Sequence, residues 1–271
     1  MLSCLVDGEL SDVVPASDRG LAYGDGVFET LAVRGGAPGL WQAHMDRLVR
    51  GCERLGLPTP AQAVLLREVK TVAAGQPRCV VKIILTRGSA GRGYAPPESV
   101  QPLRMVSAHP WPERIREDQQ SGVEAVVCAT RLALQPALRG IKHLNRLEQV
   151  LAAAELAGHP GKHGVMLNTE GYVIAGVSAN LFAVADGQLL TPRMDRCGVH
   201  GVLRDLLLRH HAGRCERRRI SLELLEEADE VFFCSAIRGI VPVRAIDEHR
   251  WPVGPVTREL QVWHQGLAER S

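Results

Sequence analysis

The chain has 271 residues, 45% of them hydrophobic and 23% charged, which is enough for a real core in one large domain or two small ones and argues against wholesale disorder. Its 32 Lys and Arg against 30 Asp and Glu leave a net charge of +2, too weak a bias to suggest a nucleic-acid partner. The seven cysteines are dispersed, odd in number and form no C-x-x-C pair, so a zinc ribbon or a disulfide framework is unsupported and a reducing compartment fits.

The opening MLSCLVDGELSDVV carries acidic residues where a signal peptide wants an apolar run, and no stretch approaches the ~18 apolar residues of a membrane span. A cytoplasmic protein with no membrane partner is expected. Along the chain, Leu2 to Val6 predicts a strand ended by the turn pair Asp7-Gly8, and Val27 to Val33 another, with Gly35-Gly36 as a hairpin turn. Leu40 to Leu55 has helical spacing, with Leu40, His44, Leu48 and Cys52 on one face and Gly56 as C-cap. Ala61 to Ala74 predicts a second helix, closed by Gly75. Cys79 to Thr86, an apolar run, predicts a buried strand. Residues 108–122 are rich in proline and charge and are expected to link a domain at 1–107 to one at 123–271.

The second half predicts a strand at Val123 to Thr130, a helix at Leu144 to Leu156, and strands at Gly164 to Leu167, Tyr172 to Ile174, Ala179 to Val184 and Gln188 to Thr191. A helix over Gly201 to His210 has Val202, Leu203, Leu206 and Leu207 as its apolar stripe. A short helix at Leu222 to Glu227, strands at Glu230 to Cys234 and Ile240 to Ile246, and a helix from Val256 to Glu269 complete the chain. Without strict βαβ alternation this is an α/β to α+β fold with mixed sheets, and neither a G-x-G-x-x-G after a strand nor a P-loop is present. The basic run Arg214 to Arg219 lacks interleaved aromatics and reads as a solvated turn.

Several segments carry chemistry. Lys142 lies in GIKHLNRL; an amine held among apolar neighbours loses hydration, has its pKa lowered and can attack a carbonyl. Gly198 to Arg204 places two glycines ahead of a helix, where free N–H groups and the helix dipole suit an anion, and Ser235 to Gly239 offers a hydroxyl and more N–H groups after a strand. From spacing alone each reads more readily as an ordinary turn. Arg87 and Arg92 on the glycine-rich TRGSAGRGY suit a carboxylate or simply solvent. Asp18 to Glu29, with three glycines and two aspartates before a strand, reads as a complex turn beside a pocket.

In this order, SDRGLAYGDGVFET at 17–30, AHMDRL at 43–48, TRGSAGRGY at 86–94, GIKHLNRLEQVLA at 140–152, SANLF at 178–182, GVHGVLR at 198–204 and DEVFFCSA at 229–236 resemble the fold type IV enzymes dependent on pyridoxal 5'-phosphate (PLP). That family contains branched-chain and D-amino acid aminotransferases and aminodeoxychorismate lyases; IKHLNRLEQV and TRGSAGRGY are most similar to the lyase branch. The resemblance implies a D-amino acid aminotransferase-like fold, a smaller N-terminal domain meeting a larger C-terminal one across a cofactor cleft, and a homodimer. It implies PLP as cofactor, and conversion of 4-amino-4-deoxychorismate to 4-aminobenzoate and pyruvate in folate synthesis. Lys142 matches the lysine that binds the cofactor covalently and moves protons. Arg47 matches the arginine on the cofactor phosphate, with Val199, His200, Gly201, Val202, Ser235 and Ala236 as further phosphate contacts. Arg146 matches a group near the pyridine face or 3′-oxygen, and Arg92, Tyr94 and Tyr23 are candidates for the substrate.

One position departs. Relatives carry a glutamate about five residues before the Asn of the NLF motif, where it keeps the pyridine nitrogen protonated; the aligned residue here is Ala175, and Glu170 is too far along the strand to substitute. A lyase of reduced activity, a form that binds PLP without turnover, and replacement of the acid by Ser178 or His200 are open readings. So are a D-amino acid or branched-chain aminotransferase and a scaffold without catalysis.

Overall fold

The structure, a computed structural model, describes residues 1–268. They form two compact units: Met1–Pro112 with Ile141–Asn145, and Glu113–Gly140 with residues 146–268. Lys142 therefore packs with the first unit, although the sequence division would assign it to the second.

The first unit contains β1 (Ser3–Val6), β2 (Glu9–Leu10), α1 (Arg19–Tyr23), β3 (Gly26–Arg34), β4 (Ala37–Pro38), α2 (Trp41–Leu55), α3 (Gln62–Val72), β5 (Arg78–Thr86) and β6 (Leu103–His109). Its antiparallel sheet runs β2-β1-β6-β5-β3-β4. Side chains alternate across a strand, so Cys79, Val81, Ile83 and Leu85 on β5 enter a core with Leu31, Met45, Leu48, Leu65 and Val69. Val80, Lys82 and Ile84 are half-buried on the other face. The apolar run is thus a one-sided strand, and Lys82 marks its second face. The turn expected over Asp18 to Glu29 is α1 followed by the start of β3; α1 starts on Asp18, whose carboxylate accepts the Leu21 N–H, and stops at Gly24 with φ 65°.

The second unit contains α4 (Ile115–Ser121), β7 (Val123–Val127), α5 (Leu147–Glu155), β8 (His163–Leu167), β9 (Val173–Gly176), β10 (Asn180–Ala185), β11 (Gln188–Pro192), α6 (Val202–His210), β12 (Cys215–Arg218), α7 (Leu222–Glu226), β13 (Glu230–Ser235), β14 (Gly239–Ile246), β15 (His249–Arg250) and α8 (Pro255–Ala268). Its mixed sheet runs β12-β11-β10-β13-β14-β7-β8-β9, with β15 on β14. Phe182 and Phe232 stack at 5.1 Å between ring centroids in one core cluster.

Local expectations differ where tertiary bonds compete. The segment 108–122 includes the end of β6 and all of α4; Arg238 pairs with Asp118 at 2.7 Å and Arg258 bonds the Gln119 carbonyl, tying α4 to its own unit. The helix expected from Leu144 begins at Leu147, because the Lys142 carbonyl accepts the Phe28 N–H at 2.9 Å and the Leu144 N–H donates to Gly26 at 3.0 Å. On α6, Arg204 is buried and Leu206 is not; Arg204 donates to the Pro192 carbonyl at 3.0 Å. The basic run forms the exposed edge strand β12, pairing in parallel with β11, rather than a turn. Glu269, the expected end of the last helix, lies outside the described residues.

Candidate active site

In the first unit, backbone bonds to β3 hold Lys142 over Phe28, with its Nζ 4.4 Å from the ring centroid. Lys82 lies over the same ring, with Nζ at 5.0 Å. Asn145 anchors the end of the segment by donating to the Gly24 carbonyl at 3.1 Å.

On the core side of β3, Glu29 is fully buried and grips α2. Its carboxylate accepts from Arg47 Nε at 2.8 Å and Nη2 at 2.5 Å, and meets His44 Nδ1 at 2.6 Å. Burial pushes the Glu29 pKa up, but the Arg47 charge and hydrogen bonds, with His44, outweigh it and hold the group at about 2. Burial pushes the His44 pKa down; Glu29 opposes that, while the charges on Arg47 and Lys142 reinforce it.

The other candidates of this unit lie on two linked loops. Arg87 spends its guanidinium on Asp25 at 2.7 Å and on the Leu55 and Gly56 carbonyls, so of the two loop arginines it is a structural one. Arg19 also bonds Asp25, at 2.9 Å, and reaches the Gly93 and Tyr94 carbonyls. Tyr23 and Tyr94 meet edge to face at 5.3 Å, and Arg92 and Tyr94 are exposed.

In the second unit, both phosphate candidates converge on Asn180. Its Nδ2 donates to the Val199 carbonyl at 3.0 Å, and its strand register sets it against Cys234, the neighbour of Ser235. The loop is further stitched to Gly140, whose N–H donates to Gly198 and whose carbonyl accepts from His200. Gly201 precedes α6, and no side chain caps that helix. A Cβ on Gly201 would lie 2.0 Å from Asn180 Oδ1, so any larger residue there would push the Asn180 amide aside. Ser235 Oγ accepts the Arg238 N–H at 3.2 Å, and Ala236 follows it in a half-buried turn.

Ala175 lies on β9 opposite Met166 and packs against a cluster with Ile174, Met194 and Cys197. Glu170 is committed to Arg196 at 2.5 Å, Ser178 is exposed, and His200 Nε2 faces the Met194 carbonyl at 3.1 Å. Arg146 is half-buried; burial lowers its pKa to about 10, and Glu148 opposes the shift.

The Amino-transferase class IV family model matches residues 26–246, most of the chain. The chain belongs to the amino-transferase class IV family. This family member is 36% identical over 263 residues to an aminodeoxychorismate lyase of Vibrio harveyi, covering 94% of this chain and 97% of the relative. It resembles the crystal structure of 4-amino-4-deoxychorismate lyase from Pseudomonas aeruginosa with TM-score 0.92 and 47% identity, covering 97% and 98% of the two chains. It also resembles a branched-chain amino acid aminotransferase of Escherichia coli, with TM-score 0.88, 26% identity and coverage of 98% and 94%. The fold is that of the type IV enzymes.

In this amino-transferase class IV chain, Glu29, His44, Lys82 and Asn180 escaped the sequence reading as site residues. The alternation of β3 and β5 assigns Glu29 and Lys82 to opposite faces, a signal available in advance. Nothing local in the sequence marks the partners of His44 and Asn180. Among the described residues, no group of His, Cys, Asp and Glu could hold a metal ion, and no helix is long and apolar enough to cross a membrane.

Proposed function

We propose that the chain is a PLP-dependent lyase that converts 4-amino-4-deoxychorismate to 4-aminobenzoate and pyruvate in folate synthesis, working as a cytoplasmic homodimer. The likeness that carries this reading is the 47% identity to the Pseudomonas lyase, against 26% to the Escherichia aminotransferase.

The donor set suits the cofactor at two of its three ends. Lys142 offers an amine for its aldehyde carbon. In the second unit, the uncapped N-terminus of α6, the Gly198–Gly201 loop and the Ser235 hydroxyl with Ala236 would offer N–H and O–H donors for its phosphate; in the first unit, Arg47 would offer its guanidinium. At the pyridine nitrogen, Ala175 supplies no acid. Were PLP held by these residues, it would supply an electron sink for the charge left when a C–H bond beside the substrate amine breaks. The Lys142 amine removes that ring proton and returns one to the departing enolpyruvyl group, which leaves as pyruvate. Aromatisation of the ring supplies much of the driving force. Arg92, Tyr94 and Tyr23 would meet the substrate carboxylates and ring. The missing acid makes the enzyme a slow one, and Arg146, four residues after Lys142, would sit by the cofactor ring.

The test is the visible absorbance of the purified protein with added PLP, beside 4-aminobenzoate release, in wild type and Lys142→Ala. An absorbance band and turnover that are both lost in Lys142→Ala are expected. A band without turnover would replace the lyase by a cofactor-binding protein. Amino transfer from D-alanine or L-leucine would replace it by an aminotransferase. No band at saturating PLP would sink the role of Lys142.

A further inference from the structure

We infer that Glu29 and His44 are positioning residues that hold the Arg47 guanidinium in the orientation in which it takes the cofactor phosphate; this rests on the reading of Arg47 as a phosphate ligand.

All three side chains are almost fully removed from solvent: Glu29 and His44 are 0% exposed and Arg47 6%. Two of Arg47's nitrogens, Nε and Nη2, are bound side-on by the two oxygens of one carboxylate. That fork fixes both the plane and the roll of the guanidinium, which a single bond would leave free. Arginine otherwise brings rotamer freedom that must be lost when an anion arrives, so a carboxylate that fixes it beforehand favours binding. His44 fixes the carboxylate in turn. Burial keeps its imidazole neutral, so the Nδ1 facing Glu29 Oε2 at 2.6 Å carries the proton and donates. Its Nε2 is then a buried acceptor without a hydrogen-bond partner, which leaves Glu29 as the ring's hydrogen-bond partner.

Charge and positioning make opposite forecasts here. The negative charge of Glu29 opposes a phosphate, so on Coulomb grounds its neutralisation would tighten cofactor binding. If orientation dominates, neutralisation loosens it, because a glutamine amide in place of one oxygen points hydrogens at a guanidinium that has only donors.

The experiment is titration of the unloaded protein with PLP and, separately, with pyridoxal, which lacks the phosphate. Dissociation constants are compared among wild type, Glu29→Gln, Glu29→Asp, His44→Gln, Arg47→Ala and the Glu29→Gln/Arg47→Ala double variant. Glu29→Gln is expected to weaken PLP roughly tenfold and leave pyridoxal unchanged. Arg47→Ala should show the same selective loss, and the double variant should lose no more than Arg47→Ala alone. Glu29→Asp keeps the charge but withdraws the fork, so it also loses PLP selectively, and His44→Gln does so more mildly. If Arg47→Ala loses PLP selectively but Glu29→Gln binds it equally or more tightly, the positioning role is overturned while the phosphate role of Arg47 stands. Equal loss of PLP and pyridoxal in Glu29→Gln would reduce the network to general stability and overturn the inference. No selective loss in Arg47→Ala would remove the underlying reading. Should Glu29→Gln fail to fold, Glu29→Asp and His44→Gln decide by the same ratio.

Discussion

Replacing Ala175 by glutamate puts an acid at the position where the resemblance to the fold type IV family implies one, and the structure sets both sides of its effect. Ala175 packs beside Met166, Ile174, Met194 and Cys197, so without cofactor the new carboxylate meets apolar neighbours. Leaving such a group without a partner costs about 1–3 kcal/mol, and its pKa rises as the charged form is disfavoured. The unloaded variant should therefore melt several degrees below wild type. With cofactor present, the same low-polarity surroundings strengthen a carboxylate paired with a protonated ring nitrogen. A preorganised group of that kind contributes about 3–4 kcal/mol in the transition state, or ~10²–10³ in rate. The assay is single-turnover release of 4-aminobenzoate, with melting temperatures of unloaded and loaded protein, and Ala175→Gln as the uncharged control of similar size. The expected outcome is a rate gain of at least tenfold in Ala175→Glu alone, with the stability deficit shrinking on loading. An unchanged or lower rate in a variant that binds PLP normally would refute the reasoning, since the reaction would then not draw on an acid at this position.

Gly201→Ala should weaken PLP, because the added Cβ sits 2.0 Å from Asn180 Oδ1 and must disturb the 3.0 Å bond to Val199. A loss of about 1–3 kcal/mol in cofactor binding, read by titration, is expected, and unchanged affinity would count against the loop as a phosphate site. Stability should fall on acidification in two steps. His44 has a lowered pKa, so the unfolded chain takes up a proton that the folded one resists, and stability declines as pH drops below 6.5. Glu29, lowered from 4.5 to about 2, contributes stability that is present above pH 4.5 and lost as pH falls toward 2, on the order of 3 kcal/mol. Melting curves from pH 7 to 3 check this, and Glu29→Gln should lack the lower step; a flat wild-type profile would contradict it.

Much of the architecture was legible from the chain because its causes are local. The spacing of Leu40, His44, Leu48 and Cys52 with Gly56 behind it predicted α2, which ends at that glycine with φ 63°. The Asp7-Gly8 and Gly35-Gly36 turns were equally plain, and the match over residues 26–246 agrees with the family reading. Tertiary structure decided the rest, where the partner of a group lies far along the chain. A local pattern started a helix at Leu144, but bonds to Gly26 and Phe28 delayed it to Leu147 and put Lys142 with the first unit. Arg87 looked available on its loop until Asp25, 62 residues away, took its guanidinium. Glu29 read as a strand residue and Arg47, by resemblance, as a phosphate ligand; only the packing of α2 on β3 made them one ion pair. Periodicity and turn chemistry act over a few residues and are written in composition and order, whereas the desolvation that commits a charge to one partner exists only after the chain has folded around both.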